Sequence, residues 1–221
     1  MQAIGYVLPL AVALALSTLP IMVALLILLS PNRSRSALPF LIGWVVGMVL
    51  VVTLCTLAAQ FVPASRLPRR QDEVVGVLEI IIGIALIGLG IFSLWRARRR
   101  TDHSLPAWLR TTETLGPWSS FGLALLLNFR AKALLIAAAA GLSLRADAES
   151  LTDAVVAIAL YTLIGASTVA VPIIASLAAP ARMEPRLVDT REWLTRNGEA
   201  ITAAIVMLIG VVIVAMGIGR L

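Results

Sequence analysis

The chain has 221 residues, 60% of them hydrophobic, and its mean hydropathy is +0.97. Soluble domains use roughly 45–50% apolar residues, so this composition excludes an ordinary soluble protein and indicates an integral membrane protein. The formal net charge is +6, but most arginines lie beside apolar segments, where they suit anionic lipid headgroups better than nucleic acid. Cys55 is the single cysteine, which excludes a disulfide, a redox pair and a cysteine metal site.

Six apolar segments are each close to the length that crosses about 30 Å of hydrocarbon. They are Val7 to Leu29, Leu38 to Phe61, Val74 to Trp95, Phe121 to Leu142, Ala154 to Ala178, and Ala200 to Gly219. The first 32 residues carry no charged side chain, whereas a cleaved signal peptide begins with a basic region. We therefore interpret the first segment as a retained span and predict an all-α membrane protein with six transmembrane helices.

Short sequence matches relate the two halves of the chain. Leu41-Ile42-Gly43 matches Leu163-Ile164-Gly165, and Ile82-Gly83 with Gly90-Ile91 matches Ile209-Gly210 with Gly217-Ile218. Each half contains three spans, and two such halves must cross the membrane in opposite senses, as in many transporters. We predict one membrane domain, 1–221, with repeat one at 1–95, an inner loop at 96–119 and repeat two at 120–221.

The arginines also predict an orientation. If the chain begins outside, the inner loops carry Arg33, Arg35, Arg96, Arg98, Arg99, Arg100, Arg110, Arg182, Arg186, Arg191 and Arg196, and the outer side carries Arg66, Arg69, Arg70, Arg145 and Arg220. The positive-inside rule then favours both termini outside, although the three arginines of the second loop oppose it. Tryptophans near these arginines, at Trp108 and Trp193, indicate loops anchored at the membrane surface.

Polar residues interrupt two of the apolar segments. Asn128, Arg130 and Lys132 lie inside the fourth, and Lys132 is the only lysine of the chain. Arg130 lies roughly 13 Å into the hydrocarbon if the helix starts at Phe121, and cations at such depth usually mark a site. The fourth segment either spans with buried charges or consists of two half-helices.

Ser17, Thr18 and Pro20 interrupt the first segment at a comparable place. The proline removes a backbone hydrogen bond. The two hydroxyls either repair the helix locally or line a polar cavity.

Glu79 is the one carboxylate well inside an apolar segment, so we expect it to pair with Arg130 or Lys132. For these cations a structural ion pair and a substrate site both remain open.

The chain lacks a phosphate-binding Gly-Lys-Ser/Thr loop and a His-Glu-x-x-His motif, and its single histidine is His103. We therefore predict no enzyme activity, no catalytic residues, no cofactor and no metal.

Several short sequences resemble one known family. They are Leu16-Ser17-Thr-Leu-Pro20-Ile21, Leu29-Ser30-Pro31, Phe40-Leu-Ile-Gly43-Trp44-Val-Val-Gly47, Leu105-Pro106-Ala-Trp108, the Asn128 segment, Pro172, and Trp193-Leu194. In this order they resemble the GAP family of envelope glycolipid- and sulfolipid-addressing proteins, in the lysine-exporter superfamily. That family's fourth segment usually reads Asn-Pro-Lys-Asn, so here the asparagine and a cation are kept, and the proline and second asparagine are absent.

The resemblance implies a multi-pass protein of the bacterial inner (plasma) membrane that moves a polar, anionic lipid or glycolipid toward the cell surface, beside a larger lipid exporter. It also allows a homo-oligomer. On this reading Ser17, Thr18, Pro20 and Asn128 form the polar part of the substrate site, Arg130 and Lys132 neutralise the anion, and Glu79 holds the cations when the site is empty. Two alternatives remain: an exporter of amino-acid-type solutes, and a non-transporting assembly factor for a lipid export complex.

Overall fold

The computed structural model describes residues 2–61, 68–99, 116–148 and 150–219, and every regular element within them is an α-helix. The eight helices are α1 (Gln2–Ala15), α2 (Thr18–Leu28), α3 (Arg33–Ala59), α4 (Pro68–Arg99), α5 (Pro117–Leu127), α6 (Ala131–Asp147), α7 (Leu151–Ala178) and α8 (Pro180–Gly219). The predicted all-α class is confirmed for this part of the chain. Most of the predicted inner loop, residues 100–115, lies outside the described residues.

Four stretches of helix are long and apolar enough to cross a membrane unaided: Arg33–Ala59, Val74–Trp95, Leu151–Ala178 and Ala200–Gly219. The pairs α1 with α2 and α5 with α6 reach that length only together, and they are bent by 42° and 61°. The described residues therefore contain four to six candidate spans. Six, the predicted number, corresponds to each bent pair forming one span.

Helix α2 lies at the centre of the bundle. Its residues 22–28 are all buried, as expected of a helix that is hydrophobic on every side. It packs against α3, α7 and α8, while α1 packs on α7, and α3 packs on α5 and α6. Other helices keep large apolar side chains on the outside, for example Leu163 and Leu208, which suits contact with lipid.

Helices α4 and α8 form the most extensive helix pair, and glycines allow their close approach. A Cβ atom added to Gly83 would lie 2.7 Å from the carbonyl oxygen of Gly210. Gly90 faces Met207 in the same way, and Gly217 faces Ile80. Residue numbers rise along one helix as they fall along the other, so the pair is antiparallel. Small residues permit such contact where no hydrophobic effect drives helices together.

Helix α8 continues well beyond the apolar stretch Ala200–Gly219. The Arg191 to Arg196 region, expected as a surface loop, is helical and continuous with the last span. Leu187 and Leu194 are buried against the bundle, and Arg33 pairs with Glu184 at 3.5 Å. The prediction of a loop was wrong because the apolar face of this polar segment packs on the core.

Candidate functional site

The polar interruption of the fourth segment is a bend between two helices. Helix α5 ends at Leu127 and α6 starts at Ala131. The backbone N–H of Asn128 donates to the Leu125 carbonyl at 3.1 Å, which closes the last turn of α5. Arg130 is extended and precedes α6 without capping it through its side chain. Of the two predicted alternatives, the pair of half-helices is the one found.

Asn128 fixes this bend to a neighbouring helix. Its side chain is only 2% exposed, and Nδ2 donates to the carbonyl oxygens of Ala124, at 3.0 Å, and Trp44, at 3.4 Å. Gly47 makes room for the amide, since a Cβ there would lie 2.5 Å from Nδ2. The Asn128 amide nitrogen therefore satisfies backbone carbonyls of α5 and α3.

Lys132 lies in the first turn of α6. Its Nζ atom is buried and has no hydrogen-bond partner among the described residues. An unpaired buried charge is strongly unfavourable, so such groups normally have a counter-charge or a ligand. Arg130, two residues earlier, is exposed. The structure thus brings one buried and one exposed cation to the start of the same helix.

The start of α6 can itself favour an anion. The first backbone N–H groups of an α-helix have no acceptor within the helix, and the helix dipole leaves partial positive charge there. No side chain caps α6. With Lys132 in its first turn, this end of α6 combines the features of an anion site.

Glu79 does not pair with either cation, contrary to expectation. It is 1% exposed on α4 and accepts a hydrogen bond from Ser143 Oγ at 3.1 Å. Ser143 lies 11 residues beyond Lys132 on α6, or about 16 Å along the helix. Glu79 therefore packs against the opposite end of α6. The sequence gave no indication of which turn of α6 faces α4.

The bend in the first segment also falls near the predicted residues. Helix α1 ends at Ala15 and α2 starts at Thr18, so Ser17 precedes α2, and it does not cap it through its side chain. Pro20 is buried in the first turn of α2, where a missing N–H costs little. The bend therefore precedes the proline.

Two threonines that the sequence analysis missed contact this first bend. Thr168 of α7 donates through Oγ1 to the Ala15 carbonyl at 2.6 Å, and Thr202 of α8 contacts Thr18 hydroxyl to hydroxyl. Threonine is unremarkable in an apolar helix, so only the packing identifies these two. Both connect the bend to helices of the second half.

The described residues thus form an apolar helical bundle in which two bent helix pairs carry polar groups inward, and no His, Cys, Asp or Glu cluster among them could hold a metal ion. Intramembrane polar groups on broken helices are typical of membrane proteins that handle polar cargo. The chain belongs to the SfLAP family, described as Sap, sulfolipid-1-addressing protein, whose model matches residues 7–219. This match confirms the resemblance to sulfolipid-addressing proteins, which are not an enzyme family. No curated protein and no solved structure is significantly similar to the chain.

Proposed function

We propose that this protein moves an anionic envelope lipid, one with a sulfated headgroup, across the bacterial inner membrane toward the cell surface. The observation that carries the proposal is the buried, unpartnered ammonium of Lys132 at the uncapped start of α6. A sulfate would supply the missing counter-charge. The family description, which names a sulfolipid, supports the same chemistry.

In this proposal the α6 end binds the headgroup through three kinds of donor. Lys132 supplies a buried charge, the first-turn N–H groups of α6 supply fixed donors, and Arg130 guides the anion from the exposed side. Ser17 and Thr18 contact the uncharged part of the headgroup at the first bend, where Pro20 sets the start of α2. Asn128 acts by holding the second bend in position, which differs from the direct contact expected from sequence.

We propose further that the two halves are inverted repeats and that rocking of one half against the other changes access to the site. The α4–α8 contact supports this idea. Gly90 meets Met207 and Gly217 meets Ile80, and the members of each pair of equivalents, Gly90 with Gly217 and Ile80 with Met207, are 127 residues apart. An antiparallel contact with this repeat is what a two-fold axis in the membrane plane would produce.

The orientation with both termini outside is part of the proposal. The Arg33–Glu184 ion pair joins the start of α3 to the start of α8, which agrees with the first and last predicted inner loops lying on one side. A larger lipid exporter is the proposed partner on that side, and a homo-oligomer is compatible with this arrangement.

Replacing Lys132 by glutamine tests the proposal. In cells whose own gene is deleted, Lys132→Gln should abolish surface delivery of anionic lipid while the protein remains folded in the membrane, and Lys132→Arg, which keeps the charge, should retain part of it. Lipids that co-purify with each variant, identified by mass spectrometry, should lose their anionic class only in Lys132→Gln. Normal delivery and unchanged co-purified lipids in that variant would refute the proposed site.

A further inference from the structure

Three buried side-chain atoms have no hydrogen-bond partner within the described residues: Trp44 Nε1, Ser120 Oγ and Lys132 Nζ. All three can donate, and the indole and the ammonium can only donate. Trp44 is 1% exposed and Ser120 0% exposed. Burial of an unsatisfied donor is costly, so each such group in a native protein calls for a partner. The common chemistry indicates a partner rich in acceptors.

Trp44 and Ser120 lie at the same level of the bundle. A Cβ on Gly43, the neighbour of Trp44, would lie 3.0 Å from Cα of Phe121, the neighbour of Ser120. The Trp44 carbonyl in turn accepts from Asn128 at the second bend. The two neutral donors therefore belong to the α3–α5 contact that leads to the bend.

Ser120 precedes Lys132 by 12 positions, about 18 Å along the two helices, a distance that the long tryptophan and lysine side chains can shorten. Neutral donors match neutral oxygens, whereas the ammonium matches an anion. A ligand that satisfies all three donors carries both kinds of group.

We propose that Trp44 and Ser120 form a second subsite, which binds the neutral oxygens of a sugar in the same lipid whose anion binds at Lys132. This inference rests on the proposed function and deepens it, because it assigns the cargo to the acidic glycolipids. It also makes the fourth segment and α3, rather than the bend alone, the determinant of specificity.

Binding to the purified protein in detergent micelles distinguishes the two subsites. The probes are a galactolipid with a short fluorescent acyl chain, its 3-sulfated form, and inorganic sulfate as competitor. Trp44→Phe and Ser120→Ala should each weaken binding of the sulfated galactolipid roughly tenfold and leave competition by inorganic sulfate unchanged. Lys132→Gln should abolish the competition by sulfate but leave the weak binding of the unsulfated galactolipid. Trp118→Phe and Ser119→Ala, exposed neighbours on α5, are the matched controls.

Thermal unfolding of the same variants separates a ligand role from a structural one. Removing an unsatisfied donor relieves its desolvation penalty, so Trp44→Phe and Ser120→Ala should unfold at the wild-type temperature or above it. A lower unfolding temperature would mean that these donors have protein partners, and would overturn the inference. Wild-type binding of the sulfated galactolipid by both variants would overturn it too, while a defect in Lys132→Gln alone would leave the proposed function standing. If Lys132→Gln also binds normally, the proposed function fails as well.

Discussion

Gly83 and Gly210 contact each other reciprocally: a Cβ on either glycine would lie 2.7 Å from the carbonyl oxygen of the other. Their next contacts are equivalent too, since Gly83 also meets Val214, Gly210 meets Ile87, and these partners are again 127 residues apart. The close contact of α4 with α8 is therefore two-fold symmetric in its details, and the sequence match at these glycines reflects that packing.

Substitution of Gly83 by alanine should destabilise the protein by about 1–3 kcal/mol, because the new methyl group forces the α4 and α8 backbones apart. Gly210→Ala should cost a similar amount, and the double variant should cost less than the sum, since both lesions affect one contact. Gly88 of α4 has open space around it, so Gly88→Ala is the control and should be neutral or slightly stabilising. Thermal unfolding in detergent measures all four variants. Equal stability of Gly83→Ala and Gly88→Ala would contradict the packing described.

Asn128→Asp should destabilise the second bend by about 1–3 kcal/mol. The carboxylate cannot donate to the Ala124 and Trp44 carbonyls and repels them. Asn197 makes a similar bond, from Nδ2 to the Trp193 carbonyl at 3.1 Å, but on the exposed surface, so Asn197→Asp should change stability by less than about 0.5 kcal/mol. Denaturation of both variants in the same detergent gives the comparison. A larger effect at Asn197 would mean that Asn128 does not hold the bend.

Thr168→Val should lower stability by about 1 kcal/mol, because it keeps the side-chain shape and removes the hydrogen bond to the Ala15 carbonyl. Thr168→Ser should restore most of the loss. Thr162, on the same helix, donates only to Ile158 within α7 at 2.8 Å, so Thr162→Val is the matched control and should have little effect. Equal loss in Thr168→Val and Thr168→Ser would exclude the hydrogen bond as the cause.

Glu79→Gln and Lys132→Gln should have additive effects on unfolding free energy, within about 0.5 kcal/mol, because the two side chains contact opposite ends of α6. Glu79→Gln and Ser143→Ala, which remove two partners of one hydrogen bond, should deviate from additivity by about 0.5–3 kcal/mol. Two double-variant cycles measured by thermal unfolding test this. Strong coupling between Glu79 and Lys132 would restore the ion pair that the sequence predicted.

Local chemistry was the part of the fold that could be predicted. The second bend follows from polar residues at Asn128 and Arg130 within an apolar segment, and the first from Ser17 and Thr18, because a break in hydrophobicity is visible without any neighbour. The α8 extension could also have been recognised, since Met183, Leu187 and Leu194 recur on one helical face.

Non-local contacts were the part that could not be predicted. Whether Glu79 meets Lys132 or Ser143 depends on the relative shift of α4 along α6, and both positions leave the hydrophobic pattern unchanged. Thr168 and Thr202 likewise look like ordinary span residues, and their contacts with the first bend depend on how the two halves pack. A six-span count remains a prediction, since it depends on how each bent pair meets the bilayer.

Lys132 is also the only lysine in a chain with 17 arginines. Apart from the α-amino group, it therefore provides the only primary amine of the protein. An amine-directed reagent can modify this one side chain in the unaltered sequence, and the extent of modification reports on whether water and reagent reach the middle of the fourth segment.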